Sequence, residues 1–370
     1  MTTFKRQPLP NNSTTFLRKR TSLLLPWFFL LLITYILTLH QFYNQYISNT
    51  NYLHLPPQKP GVLLLGMHRS STSMLSGLLI QGLGYEIGGP ELPIAQDNPK
   101  GFFERTDVVD MNNAFLNSQN MTWDNHDKIL EYNTSLTEEH LLLGIVSNAT
   151  FGGTLQFYNG RHSVPYVFKD PRCCLTVPVW MKHLNPSPAI LFSYRHPLDV
   201  AASLQRRDNF PLIKGLKLWI IYNVLAVRYS NGYCRVVTSS HAVVFDTLNE
   251  MTRISRELTN RCRVIPSPNA TMPASVVDGF VDHSLQHNTN GAGVQYLNGT
   301  IHDFGDGCVA RPLSSGSSNV GGLEEEMKVT QTYLIAMQLF CDFRSGRAFS
   351  KDYEMPDLTK IYDVPQPTFQ

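Results

Sequence analysis

The chain has 370 residues, a formal net charge of +2 and six cysteines. A balance this close to neutral gives no support to a nucleic-acid partner, and the cysteines lack the C-x-x-C pairs of a structural zinc site. Charged residues are few and Asn, Ser and Thr abundant, which suits a secretory-pathway protein of one large or two smaller domains.

Residues 1–21 carry Lys5, Arg6, Arg18, Lys19 and Arg20 and read as a cytosolic tail. Residues 22–40 follow, uncharged from Ser22 to Leu39. A spanning helix needs about 20 apolar residues, and the positive-inside rule keeps the basic end cytosolic. The segment therefore reads as the signal-anchor of a single-pass type II membrane protein, with a cleaved signal peptide as the other reading. The rest is then lumenal, in agreement with N-x-S/T acceptors at Asn120, Asn133, Asn148, Asn269 and Asn298. A lumenal domain is disulfide-permissive. Cys234, Cys262, Cys308 and Cys341 are the bridge candidates, with their pairing open, whereas adjacent Cys173 and Cys174 do not easily pair with each other. Residues 41–60, polar and broken by Pro56, Pro57 and Pro60, read as a stem.

The folded domain is expected over 61–345, with a C-terminal tail over 346–370 that is poorly ordered from Asp352. The apolar run Val62 to Leu65 predicts a buried strand, followed by a helix from about Ser73. Residues 86–105 are Gly- and Pro-rich and predict a loop over the sheet edge, and a helical period returns from Asp107 to Leu116. Tyr166 to Phe168 and Ala189 to Phe192 predict further strands, and Pro197 starts a helix, where a missing N–H costs nothing. Gly215 to Val227 predicts a buried helix, Ala242 to Phe245 a last strand, with a helix after Asp246, and Glu324 to Phe340 a closing helix. Residues 286–322 lose all hydrophobic period and read as a flexible insertion. Such alternation of strands and helices means an α/β fold with a central parallel sheet covered by helices on both faces.

Two strand ends carry the chemistry. After Leu65 comes Gly66-Met67-His68-Arg69-Ser70-Ser71-Thr72-Ser73; after Phe192 comes Tyr194-Arg195-His196-Pro197, with Ser203 on the helix that follows. Strand-to-helix turns in such sheets present donors to phosphate-like anions. Two of them suggest a nucleotide charged at both its 5′ and 3′ ends. Compared with the Walker A pattern G-x-x-x-x-G-K-[ST], Gly66 and Ser73 fit, Ser71 stands for the second Gly and Thr72 for the Lys. Without that Lys, Mg²⁺-dependent turnover of ATP loses its contact to the transferred phosphate.

Arg69-Ser70-Ser71-Thr72-Ser73 resembles the 5′ segment R-S-G-T-[ST] of sulfotransferases that use 3′-phosphoadenosine-5′-phosphosulfate (PAPS). Arg195-His196-Pro197 through Ser203 resembles their 3′-phosphate segment R-x-P-x-x-x-x-x-S. Asn98 to Glu104, Lys169-Asp170-Pro171-Arg172, Leu218-Trp219 with Tyr222-Asn223, and more weakly Phe280 to Leu285, are similar to the branch common among bacterial and Golgi-type members. The ordered set spans roughly 62–285. Ser71 in place of Gly departs from the pattern, and the family's C-terminal R-K-G-type segment is not reproduced by Arg344, Gly346 and Arg347.

The resemblance implies a P-loop-like three-layer fold behind one transmembrane helix, a Golgi location and PAPS as donor with no metal. Arg69, Ser70, Ser71, Thr72 and Ser73 would hold the phosphosulfate, and Arg195 with Ser203 the 3′-phosphate. The acceptor is a lumenal hydroxyl, foremost on a carbohydrate. In-line transfer needs a base for the acceptor's proton and a cation at the leaving oxygen. Glu104 is the first candidate base, and pairing with Arg105 or a lysine is its alternative. His68 is a second candidate; Asp124 and His126 are weaker. Lys169 is the candidate cation, with a salt bridge to an acid as its alternative. Arg172 reads as a structural tie, and Trp219 and Tyr222 read as core rather than adenine-stacking residues. The rival classes are a P-loop kinase and a lumenal glycoprotein that binds the nucleotide without turnover. The acceptor's identity and the oligomeric state are not legible.

Overall fold

The computed structural model describes residues 32–41, 58–96, 98–125, 148–269, 271–281, 302–303, 305, 308–310 and 323–361. The chain divides into two compact units, Met1–Pro57 and Gln58–Gln370. In the first, residues 32–41 are helical, with apolar side chains such as Tyr35 (61%) and Leu37 (57%) exposed. Residues 22–31 of the expected spanning segment lie outside the described residues, and among the described ones no helix is long and apolar enough to cross a membrane. The expected cytosolic tail, His126, Asn133, Asn298, most of the stem and most of 286–322 also lie outside them.

The second unit is built on four parallel strands: β1 (Val62–Leu65), β2 (Val167–Lys169), β3 (Ala189–Tyr194) and β4 (Arg235–Ser239), in the order β2-β1-β3-β4. The register pairs Leu63 with Phe168 on one side and with Ile190 on the other. Successive side chains of a strand point to opposite faces, and β1 divides accordingly. Leu63 and Leu65 enter one core, Val62 and Leu64 the other. All four are essentially excluded from solvent, and each leucine so buried contributes about 1.5–3 kcal/mol.

The first core is covered by α2 (Thr106–Ser118), α4 (Cys173–His183), α5 (Pro197–Asp208), α6 (Leu212–Tyr229) and α10 (Leu323–Arg344). The second is covered by α1 (Thr72–Gly77), which widens into a π-turn at Leu78–Gly82, and by α8 (Thr247–Asn260) and α9 (Ala274–Phe280). The result is the expected parallel sheet between two helical layers.

The expected strand at Ala242 to Phe245 is instead a helix, α7 (Ser240–Phe245), and the strand lies one step earlier as β4. Two features account for this. The edge strand alternates between buried and half-buried residues, so it lacks a continuous apolar run. Ser239 then caps α7 by accepting from the Ala242 N–H at 3.1 Å. Three helices were not expected: α3 (Asn148–Tyr158), which contains Gly152 and Gly153, α4, which contains Pro178, and the short α9. The segment beyond Arg344 also departs from expectation: Ala348, Leu358 and Ile361 are all buried in the first core.

The four candidate cysteines pair as Cys234–Cys262 and Cys308–Cys341, closing loops of 28 and 33 residues. Loop-closure entropy assigns each about 3–4 kcal/mol of stabilisation. The second bridge ties α10 to a short antiparallel pair, β5 (His302–Asp303) and β6 (Val309–Ala310). Cys173 and Cys174 are buried thiols.

Candidate active site

The strand order explains why distant residues meet. β1 lies between β2 and β3, so the carboxyl ends of all three open onto one crevice, the usual ligand position in such sheets. β1 delivers the loop Gly66–Ser71, β2 delivers Lys169 and β3 delivers Arg195. The crevice holds a cavity of about 460 Å³, within the range of small-molecule sites. Its walls carry six cationic side chains, Arg69, Lys100, Lys169, Arg195, Arg206 and Arg207, against one carboxylate, Glu104.

The first loop is held under strain. Gly66 sits so close to β3 that an added Cβ would lie 2.6 Å from the Ser193 carbonyl oxygen, and its N–H donates to Cys174 Sγ at 3.2 Å. Arg69 and Ser71 have φ of 67° and 63°, and Phe103, beside Glu104, has 54°. Four non-Asn, non-Gly residues have positive φ among the described residues, and three of them therefore flank this cavity. Each costs roughly 1–3 kcal/mol, and such strain collects at functional sites. Ser71 thus occupies the left-handed conformation that a glycine takes freely. Its Oγ lies 2.6 Å from Ser240 Oγ. Replacement by Ala and by Gly both remove that hydrogen bond, but only Gly relieves the backbone. Ser71→Gly is expected to be more stable than Ser71→Ala by about 1 kcal/mol in urea unfolding.

The two loops touch. Arg69 Nε donates to Ser203 Oγ at 2.8 Å, and Arg195 Nη1 donates to the Arg69 carbonyl at 3.2 Å. Arg195 Nε is 3.7 Å from Asp199 Oδ2, too long for a hydrogen bond. Trp219 is a core residue whose indole N–H donates to the Arg195 carbonyl at 2.9 Å, fixing the start of α5. Tyr222 is likewise buried, so neither ring is placed to stack on a base.

At the cavity floor Lys169 makes three donations: to Glu104 Oε1 in a short ion pair, to the Phe102 carbonyl at 2.9 Å and to Ser73 Oγ at 3.1 Å. An ammonium has three protons, so its capacity is filled. Glu104 and Lys169 are each other's salt-bridge partner. Burial pushes the Glu104 carboxyl above its ordinary range, and the Lys169 charge only partly opposes this. Arg172 is a structural tie, with Nη1 donating to Asp170 Oδ1 at 2.9 Å.

His68 packs its ring against Trp123 at 4.6 Å and Tyr222 at 5.8 Å. Its Nε2 is enclosed and has no hydrogen-bond partner among the described residues. Burial, then Arg172, Arg207, Lys169 and Arg69, hold the imidazole well below its ordinary pKa, so it is neutral. Asp124 is paired elsewhere, with Lys214 at 2.7 Å.

His196, which precedes α5, is a second neutral buried histidine. Burial, then Arg195 and Arg344, pull it down to about 4. The unfolded chain protonates it near pH 6.5, so stability falls as pH drops below that value and levels off only near 4. His196→Asn is expected to lessen the stability lost between pH 7.5 and 5.5 by about 1.4 kcal/mol, read from urea midpoints.

Of the nine residues the sequence assigns to the site, eight line this cavity; Ser70 is buried beneath it, with Oγ unpartnered. The sequence does not single out Arg206 or Arg207, and it includes Lys100 and Phe280 only as members of resembling segments. Lys100 donates to the Gly279 and Phe280 carbonyls at 3.0 Å each and fastens the end of α9 to the wall. Arg206 and Arg207 stand three and four residues beyond Ser203, the spacing that shares a helix face, and that spacing was the available signal. No group of three or more His, Cys, Asp or Glu side chains among the described residues is placed to hold a metal ion.

No protein-family model matches the chain, and no curated protein matches it. Among solved structures it is similar to the sulfotransferase domain of the Synechococcus PCC 7002 olefin synthase, with 14% identity and a TM-score of 0.36 over 76% of this chain and 96% of that one. It is also similar to the sulfotransferase domain of the curacin biosynthetic pathway, with 11% identity and a TM-score of 0.35 over 82% of this chain and 96% of that one. Likeness this loose leaves the function to be argued from the site itself.

Proposed function

We propose that the chain is a sulfotransferase that moves a sulfuryl group from PAPS to a carbohydrate hydroxyl, and that it works in the Golgi lumen behind a single N-terminal anchor. One observation carries the reading. Arg69 and Arg195, from loops far apart in sequence, meet in the cavity that also holds the Lys169–Glu104 pair, Arg69 on Ser203 Oγ and Arg195 on the Arg69 carbonyl. Guanidinium forks and hydroxyls are the donor set for phosphate-like anions.

PAPS would be held by Arg69 and Ser70 to Ser73 at one end and by Arg195 with Ser203 at the other. Bound there, it would supply the sulfuryl group for the acceptor oxygen, with PAP as the leaving group. Glu104 takes the acceptor's proton, and burial makes its carboxylate a stronger base. Lys169 orients Glu104 and holds Ser73 Oγ as an acceptor, which leaves the serine's own proton to donate into the cavity.

Calorimetry with 3′-phosphoadenosine-5′-phosphate (PAP) and with ADP, both in EDTA, tests the donor site. Tighter binding of PAP is expected. Equal binding, or ATP binding that depends on Mg²⁺, would favour a kinase instead.

A further inference from the structure

The donor reading leaves one wall of the cavity unused. α5 presents Arg206 and Arg207 to the same cavity, yet adjacent helical residues diverge by about 100°. Arg206 lies towards Arg195, near enough for its charge to add to burial in lowering the Arg195 pKa. Arg207 turns the other way and sits over the Trp123 ring at 5.3 Å, beside Phe210, which stacks on the same ring at 5.8 Å. His68 packs against Trp123 and feels both Arg207 and Lys169. It lines the same cavity as Glu104, Lys169 and Arg207. Its enclosed Nε2 has no partner among the described residues, and a buried polar atom left unpaired is costly unless something else satisfies it.

We propose that the wall carrying His68 and Arg207, with Trp123 packed against both, is the acceptor subsite, and that it takes a sugar hydroxyl lying next to a carboxylate. The inference rests on the sulfuryl-transfer reading. The hydroxyl lies at Glu104, the neutral His68 imidazole hydrogen-bonds the same sugar, and Arg207 meets the carboxylate. Arg207 is already paired with Asp208 at 2.9 Å, but that pair is partly solvent-exposed and worth little, so a carboxylate can replace it. Arg206 serves the nucleotide end instead.

The test is calorimetry on the full chain saturated with PAP, titrated with two disaccharides that differ only in a terminal glucuronic acid or glucose. The acidic one is expected to bind about 10-fold or more tightly, since a hydrogen bond to a charged group is worth about 1.5–3 kcal/mol. Arg207→Gln should abolish that preference and leave PAP affinity within about twofold, whereas Arg206→Gln should weaken PAP. Equal binding of the two sugars, binding of neither, or binding only of an acidic tyrosine peptide overturns the proposal. So does weakened PAP binding in Arg207→Gln. Failure of the unaltered chain to bind PAP at all would instead defeat the sulfotransferase reading.

Discussion

Glu104→Gln is expected to lower kcat by about 10²- to 10⁴-fold, the usual worth of a positioned base, while PAP affinity stays within about twofold. The substitution keeps an amide oxygen for the Lys169 ammonium, so the three donations of Lys169 survive and Ser73 stays in place. What disappears is the proton acceptor. It also leaves a buried ammonium without its counter-charge, and breaking such a pair costs up to about 3–5 kcal/mol. Retained PAP binding therefore serves as the check that the variant is folded. Near-normal turnover in a folded variant would move the base elsewhere, with His68 next in line.

Arg195→Ala is expected to weaken PAP binding by about 10- to 150-fold, because a hydrogen bond to a charged group is worth about 1.5–3 kcal/mol. Two effects add in the same direction. The guanidinium is lost as an anion partner, and its Nη1 no longer holds the Arg69 carbonyl. Arg195→Lys restores charge but not the planar fork, so it should fall between the two. The discriminating control is ADP, which lacks a 3′-phosphate. Its affinity should change far less than that of PAP, and an equal loss for both would place Arg195 at the 5′ end.

The parts of the site read from sequence are those written in short contiguous segments. Val62 to Leu65 and Ala189 to Phe192 are unbroken apolar runs, as strands buried on both faces must be, and each leads directly into its anion loop. The same rule misplaced the last strand. Val243 and Val244 form an equally apolar run inside a helix, while β4 at the sheet edge alternates. A short apolar run does not by itself distinguish strand from helix. Propensity concealed α3 and α4, whose glycines and proline argue against helix until tertiary packing overrides them. Pairings across long separations were not written anywhere. Glu104 and Lys169 are 65 residues apart, and Arg69 and Ser203 are 134 apart. Arg206 and Arg207 resemble any charged helix surface until α5 is seen to border the cavity.

The proposed chemistry in this cavity is transfer of a sulfuryl group without metal-dependent nucleotide hydrolysis. The most direct measurement incubates the full chain with PAPS labelled in its sulfate, in EDTA, together with a panel of glycans. Label appearing on a glycan, and lost in Glu104→Gln, is the expected result. ATP turnover that requires Mg²⁺, with no label transferred and no PAP bound, would contradict the account.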